Sequence, residues 1–337
     1  MNVHLIAFTQ NGMVQGEKIA AALSAEGAAA TLFCGTGKHK TPLAQFAENG
    51  FQHANALIFI GAAGIAVRAI APFVRSKASD PAVLCMDDGA HFCISLLSGH
   101  LGGANALCAR VADITGAQAV ITTATDTHGV FAVDTWAASQ GLFVANPAAI
   151  KLVSAKLLRD ETVRIAAEIS LHGALPQGVE LSSEKPDIII TAHAAVPPHV
   201  LHLVPKTAVL GIGCKKGTSQ AAIEAFFTAF AQKNNLHAAA VFKVCSIDLK
   251  QNEQGLLDFC AVHGYRFETY TAAQLAAVQG DFSPSAFVQS ITGVDNVCER
   301  SAVLGANGAL TIKKNAGGGV TMALATHTVC ACFEENI

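Results

Sequence analysis

The feature that most constrains this chain is a repeated unit: a short apolar run, a glycine-rich turn, then an amphipathic segment. Ala56-Leu57-Ile58-Phe59-Ile60 runs into Gly61-Ala62-Ala63-Gly64, and a helical pattern continues through Ile65, Val67, Ala69 and Ile70. The run over 92–97 leads to Ser98-Gly99-His100-Leu101-Gly102-Gly103-Ala104-Asn105. Ala104, Leu107, Cys108, Val111 and Thr115 then fall at helical spacing, and Gly116 stops them. An apolar strand without alternation is buried on both faces. Such strands alternating with helices predict a mostly parallel sheet covered on both sides.

Taken in order, the chain predicts strands over 3–8, 29–34, 56–60, 82–86, 92–97 and 119–123, with helices over 12–26 and 42–48 between them. The strands 82–86 and 92–97 read as a hairpin around Asp87-Asp88-Gly89. After 133 the pattern weakens: helical stretches near Trp136 and over 147–158, a faint strand over 163–169, a polar patch over 182–186 and a strand over 187–191. A second α/β unit starts near 206. Strands are expected over 208–212, 241–247 and 265–269, with helices over 219–232 and 254–263. A helix over 296–304 with Asp295 as its N-cap and a hairpin of 310–313 with 320–325 complete it. The expected fold class is α/β: two α/β domains with mostly parallel sheets, 1–135 and 206–337, joined by a smaller middle module, 136–205.

Composition narrows the function classes. Charged residues make up 14%, against 51% apolar, and mean hydropathy is +0.40. That is too apolar for a disordered chain. A surface so poor in charge favours self-association, so a homodimer is the expected assembly. Net charge is −3, with no basic run and 6% aromatic residues, so nucleic acid is excluded as a partner. The longest apolar span, 56–74, is interrupted by Arg68, Pro72 and two glycines, which argues against a membrane helix. Ten cysteines occur without a C-x-x-C pair and without a leading secretion signal, as expected in a reducing, cytoplasmic setting.

Four turns hold groups able to do chemistry. In 98–105, His100 has a side chain whose ordinary pKa lies near neutrality, suited to a general acid or base. Backbone N–H groups of Gly99, Gly102 and Gly103, with Ser98 and Asn105 beside them, could hold an oxyanion or carboxylate; a tight structural turn is the plainer alternative. In the second turn, Gly61 and Gly64 precede Arg68, which could grip a carboxylate or pair with Asp87 or Asp88. In the third, Thr122-Thr123-Ala124-Thr125-Asp126 closes a strand, and Asp126 could orient His100, act as a base, or cap a turn. In the fourth, Gly211-Ile212-Gly213-Cys214-Lys215-Lys216-Gly217-Thr218 resembles an anion cradle, with Lys215 or Lys216 neutralising charge. It lacks the spacing of a phosphate-binding loop, and no base is paired with Cys214. The 61–68 stretch is not a G-x-G-x-x-G dinucleotide signature. Thirteen histidines bring no tight ligand cluster, so no protein-bound metal is expected. Glu299 beside Arg300 reads as a solvated helix face.

Together, residues 61–68, 98–105, 121–126, 211–218, 297–299 and 319–325 resemble, in this order, the cobalt-precorrin-5A hydrolase family (CbiG) of anaerobic cobalamin biosynthesis. The stretch 94–105 is the most specific part. The C-terminal part also resembles the stand-alone CobE protein of the aerobic pathway, while the hairpin linker 313–318 departs from the family pattern. The resemblance implies a hydrolase that opens the ring A δ-lactone of cobalt-precorrin-5A and releases acetaldehyde, giving cobalt-precorrin-5B. It implies no protein cofactor, since the substrate carries the cobalt and its macrocycle accepts the electrons. Passing contacts with neighbouring pathway enzymes would follow. In this chemistry His100 is the expected base with Asp126 orienting it, and Glu299 is a second acid/base candidate. Gly61, Gly64, Arg68, Ser98, Gly99, Gly102, Gly103, Asn105, Gly213, Lys215, Lys216, Gly217 and Thr218 are the expected substrate contacts. A non-catalytic corrinoid carrier is the alternative.

Overall fold

A computed structural model describes residues 1–38, 40–76, 79–99, 102–123 and 130–333. The chain divides into two compact units, 1–136 with 157–159, and 137–156 with 160–337.

The first unit is built on a six-stranded sheet of order β2-β1-β3-β4-β5-β6. The strands are β1 (Asn2–Ala7), β2 (Ala29–Cys34), β3 (Ala56–Ile60), β4 (Ala82–Met86), β5 (Phe92–Leu97) and β6 (Gln118–Val120). Strands β1 to β4 run parallel; β5 is antiparallel to β4, and β6 is parallel to β5. Every residue of β3 and β4 is buried, because helices cover both faces. Helices α1 (Gln10–Ala25) and α4 (Ala104–Thr115) press Ile19, Leu23, Leu107 and Val111 onto Leu5, Ile58, Ile60, Leu84 and Met86. Helices α2 (Leu43–His53) and α3 (Ala63–Ile70) press Phe46, Ala66 and Ile70 onto Ile6, Leu57, Phe59 and Val83. This is the three-layer arrangement that the apolar runs predict. The last strand is shorter than expected, three residues instead of five. A further helix, α5 (Val133–Ser139), follows it.

The second unit contains two five-stranded sheets. The middle one, of order β10-β8-β11-β12-β7, joins β7 (Phe143–Val144), β8 (Val163–Ala167), β10 (Val179–Leu181), β11 (Ile188–Ile190) and β12 (Leu201–Val204). It is parallel except for β7, and α6 (Ile150–Leu157) precedes β8. Between β8 and β10 lies β9 (Ser170–His172). Its partner is the late strand β18 (Cys330–Cys332), in a separate two-stranded parallel ribbon.

The C-terminal sheet has order β15-β14-β13-β17-β16. Here β13 (Ala208–Cys214), β14 (Val241–Ile247) and β15 (Arg266–Tyr270) are parallel, and the hairpin of β16 (Ala309–Gly317) and β17 (Val320–Thr326) adds antiparallel strands. On one face α7 (Gln220–Lys233) and α8 (Gln254–His263) bury Ile223, Phe227, Phe230 and Phe259 against Leu210, Ile212 and Val244. The short helices α9 (Ala272–Ala277) and α10 (Ala286–Thr292) lead to α11 (Cys298–Ala306) on the other face. There Ala302 and Ala306 meet Val209, Cys245 and Ala325. A Cβ on Gly211 would lie 1.8 Å from the Cys298 carbonyl oxygen, so only glycine lets α11 sit directly on β13.

Two expectations for this last helix need correction. It starts at Cys298, not 296, and Asp295 is not its cap. Asn296 Oδ1 instead accepts the Glu299 N–H at 2.8 Å, while Asp295 pairs with Arg300 Nε at 2.9 Å. Among the described residues, no helix is long and apolar enough to cross a membrane.

Candidate active site

The antiparallel β5 decides where the turns of the first unit lie. Ile60 pairs with Met86, the last residue of β4, so the 61–68 turn leaves from the carboxyl edge of the parallel strands. Leu97 pairs with Val83 near the start of β4, so the 98–105 elbow leaves from the opposite edge. Five residues of strand, about 15 Å at ~3.3 Å each, separate the two. Gly61, Gly64 and Arg68 therefore lie at the opposite edge of this sheet from the elbow. At its own edge, Arg68 is exposed and donates to Gly64 O at 3.1 Å. It forms no ion pair among the described residues: Asp87 binds His91 and the Phe92 N–H, and Asp88 binds Thr9. Gly61 has a packing role, since a Cβ there would meet the Phe8 ring at 2.9 Å.

The elbow is held by its own side chains. Ser98 has φ of +59° and is buried, with its hydroxyl donating to Asp80 O at 3.0 Å. The buried Asn105 takes the Ser95 hydroxyl on Oδ1 at 2.7 Å and donates from Nδ2 to Thr123 Oγ1 at 3.1 Å. Its N–H donates to Gly99 O at 2.9 Å. One side chain thus ties β5, the elbow and the segment after β6 together. The glycines are dictated by this closeness: a Cβ on Gly99 would lie 2.7 Å from Asn105 Oδ1, and one on Gly102 would lie 2.3 Å from Ser98 Cβ. Gly103, at φ +80°, opens α4. The N–H groups of Gly99, Gly102 and Gly103 make no hydrogen bond among the described residues. His100 and Asp126 lie outside the described residues.

In the second unit, the 214–218 loop leaves the carboxyl edge of β13, beside the turn of the β16–β17 hairpin. Lys215 N donates to Gly319 O at 3.0 Å, and Thr218 Oγ1 donates to Lys215 O at 2.8 Å. Gly213 pairs with Thr321, whose hydroxyl donates to Gly213 O at 3.2 Å. The loop already binds an anion, and that anion belongs to the protein. Gly217, at φ +75°, donates its N–H to Glu253 Oε1 at 2.6 Å, and Lys250 Nζ donates to Glu253 Oε2 at 2.9 Å. The Lys250 bond, the Gly217 N–H and the charges of Lys250 and Lys216 hold the Glu253 carboxyl below the usual range. Lys215 and Lys216 are exposed and form no ion pair among the described residues. Burial pushes the Cys214 thiol up, which disfavours a nucleophilic thiolate. The sequence reading missed Glu253. Its signal was available, in a Lys-x-x-Glu step before a helix that follows the neighbouring parallel strand.

Glu299 is the largest departure. It is fully buried, 0% exposed, not on a solvated face. Its Oε1 accepts Ser283 Oγ at 2.9 Å and Lys314 N at 2.7 Å; its Oε2 accepts Ser283 N at 2.6 Å and Asn296 Nδ2 at 2.9 Å. All lone-pair directions are in use, so the carboxylate fastens three segments and reaches no substrate. Arg300 is also enclosed: it donates to Val278 O at 2.7 Å and lies 4.6 Å above the Phe282 ring. Among the described residues, no three His, Cys, Asp or Glu side chains gather as a metal site.

Comparison with known proteins sets these sites in a family. The N-terminal model of cobalamin synthesis G matches residues 45–126, the central region of cobalamin biosynthesis matches 131–205, and the C-terminal model of cobalamin synthesis G matches 208–325. Cobalt-precorrin-5A hydrolase of Salmonella typhimurium is 33% identical over 304 residues, covering 83% of this chain and 84% of that one. This chain belongs to the cobalamin synthesis G family. The family's cobalt-precorrin-5A hydrolase from Priestia megaterium is 31% identical over 82% of this chain and 79% of its own. A cobalamin biosynthesis protein G homologue of Sulfolobus solfataricus, solved by crystallography, aligns over 97% of both chains at 22% identity, with a TM-score of 0.42. The 98–105 elbow falls within the N-terminal match of the cobalamin synthesis G family, and the 214–218 loop and Glu299 fall within the C-terminal match.

Proposed function

We propose that this protein is a cobalt-precorrin-5A hydrolase of anaerobic cobalamin biosynthesis. It opens the ring A δ-lactone and releases acetaldehyde to give cobalt-precorrin-5B. The observation that carries this is the 33% identity to the Salmonella typhimurium enzyme of that name across most of both chains. Two steps are required. Water adds to the lactone carbonyl and the ring oxygen leaves, giving a carboxylate and a free hydroxyethyl group. That hydroxyl then loses its proton, the C–C bond breaks, and acetaldehyde departs while the electron pair passes into the macrocycle. The substrate supplies the electron sink, so the protein needs no cofactor of its own.

The first step needs a base and an oxyanion site. His100 is the base, with Asp126 orienting it. The N–H groups of Gly99, Gly102 and Gly103, which make no hydrogen bond among the described residues, suit a developing oxyanion. Support for pairing the two segments is the Asn105 to Thr123 hydrogen bond, which fastens the elbow to the segment that leads to Asp126. Lys215 and Lys216, exposed and without ion partners among the described residues, suit the carboxylates at the edge of the macrocycle. The cytoplasm is the proposed compartment, in keeping with ten cysteines that form no disulfide among the described residues.

Incubation with cobalt-precorrin-5A, with acetaldehyde trapped by alcohol dehydrogenase and NADH, tests the activity. Stoichiometric NADH oxidation is the expected result, and a corrinoid spectrum that shifts without acetaldehyde would make the protein a carrier instead. His100→Ala should abolish acetaldehyde release while the protein folds and still binds corrinoid. Turnover close to that of the native protein in this variant would remove His100 from the mechanism.

A further inference from the structure

We propose that Glu253, fixed by Lys250, is a positioning residue that sets the 214–218 loop so that Lys215 and Lys216 meet the carboxylates of the cobalt-precorrin; this rests on the reading of that loop given above. The loop joins β13 to α7, and four charged side chains surround it. They fall into two sorts. Lys250 and Glu253 are enclosed, their side chains 15% and 10% exposed, and bonded to each other at 2.9 Å. Lys215 and Lys216 are exposed and form no close ion pair among the described residues, although the charge of Lys216 acts on Glu253.

The enclosed pair acts on the loop backbone. Glu253 Oε1 receives the Gly217 N–H at 2.6 Å, at the one left-handed residue of the loop. An N–H in that conformation points away from the path of a helix or strand and needs an acceptor of its own. The loop's neighbours leave little slack. Lys215 N is tied to Gly319 O, and the stem of Lys215 lies along Gly319, where a Cβ would be 3.1 Å from Lys215 Cδ. The start of α8 is pressed against the far end, since a Cβ on Gly255 would lie 2.1 Å from Thr218 O. Glu253 sits one residue before that helix, so a single carboxylate couples α8 to the loop midpoint.

Two consequences follow. The amide group that a phosphate would use is occupied, so the loop recognises anions through its lysines and not through a backbone cradle. The lysines are also pre-oriented, which lowers the ordering cost of binding a substrate with many carboxylates. Without Glu253 the Gly217 N–H and the Lys250 ammonium lose their shared partner. The loop can then adopt other conformations, and substrate affinity falls while the chemical step does not.

The test uses steady-state acetaldehyde release by the full-length protein. Lys215→Ala/Lys216→Ala measures whether the loop binds substrate at all. Glu253→Ala should raise KM on the order of tenfold, the equivalent of about 1.4 kcal/mol, with kcat within about twofold. Glu253→Gln, which keeps an oxygen for Gly217, should fall between Glu253→Ala and the native protein. Adding Glu253→Ala to the double lysine variant should raise KM no further, because Glu253 acts through the lysines. An unchanged KM in the lysine variant would overturn the reading of the loop itself. A raised KM there with an unchanged KM in Glu253→Ala would overturn only the positioning role. Additive effects in the combined variant, or a loss confined to kcat, would overturn it as well. If Glu253→Ala does not fold, Glu253→Gln and Lys250→Met carry the same comparison.

Discussion

Replacing Glu299 by glutamine separates two roles that its sequence context left open. The side chain keeps its shape, but one oxygen becomes an NH2 group. Each oxygen now accepts two donors, so the amide nitrogen would face either Ser283 Oγ and Lys314 N, or Ser283 N and Asn296 Nδ2. In the first orientation the Ser283 hydroxyl can turn to accept from the amide, so only Lys314 N loses its acceptor; in the second, Ser283 N and Asn296 Nδ2 both lose theirs. The first orientation is therefore preferred, and at about 1–3 kcal/mol for an unsatisfied buried group the expected loss is about 1–3 kcal/mol. Domains have only about 5–15 kcal/mol in total, and each kcal/mol moves the melting temperature of a unit this size by about 2–4 °C, so a fall of about 2–12 °C is expected. The chromophores allow the loss to be localised. The single tryptophan, Trp136, lies in the first unit, while both tyrosines, Tyr265 and Tyr270, lie in the second with Glu299. Tyrosine second-derivative absorbance should report an earlier transition in the variant, and tryptophan fluorescence should not. A variant that melts like the native protein but releases no acetaldehyde would refute the structural role and restore Glu299 as an acid/base.

Two further outcomes follow from packing and titration. Gly211→Ala would push a methyl group into the Cys298 carbonyl, lifting α11 from β13 at about 1–3 kcal/mol or more; the tyrosine-reported melt should fall, and an unchanged melt would show that the helix can shift freely. His202 and His237 face each other at 5.4 Å, with His202 Nε2 against Thr191 O at 3.2 Å; burial, and for His237 also the neighbouring His202, holds both below their ordinary value of 6.5. The folded state then binds fewer protons than the unfolded one, so their contribution is full above pH 6.5 and is lost as the pH falls through the folded values. The urea midpoint read by tyrosine should drop between pH 7 and about 5, and a flat midpoint would contradict it.

How much of this was legible in the sequence depends on how local its causes are. The runs that became β3 and β4 are apolar at every position because helices cover both faces, and that pattern is visible one residue at a time. The turn at Asp87-Asp88-Gly89 announced an antiparallel β5 just as plainly. Its effect on the site was not visible, since the edge from which the 98–105 elbow leaves depends on which strand lies beside which. The middle strands β9 and β10 have three residues each, too few to establish a period. Glu299 misled for a different reason. Beside Arg300 it has the look of a solvated pair, while its partners Ser283 and Lys314 come from segments that precede and follow the helix. Lys314 belongs to the irregular stretch of β16 where the ladder slips between Ile312 and Asn315, and its N–H turns to Glu299. No local pattern encodes a carboxylate recruited to serve a bulge elsewhere.

The pairing of β9 with β18 has a consequence for how the chain is made. Ser170 to His172 leave the ribosome long before Cys330 to Cys332, with the whole C-terminal sheet emerging between them. The middle segment therefore waits with one strand edge open, and it closes only after its neighbour has been synthesised. Assembly of the second unit is thus ordered in time by a ribbon of two three-residue strands, and a nascent chain halted before residue 330 would leave that edge open to other chains.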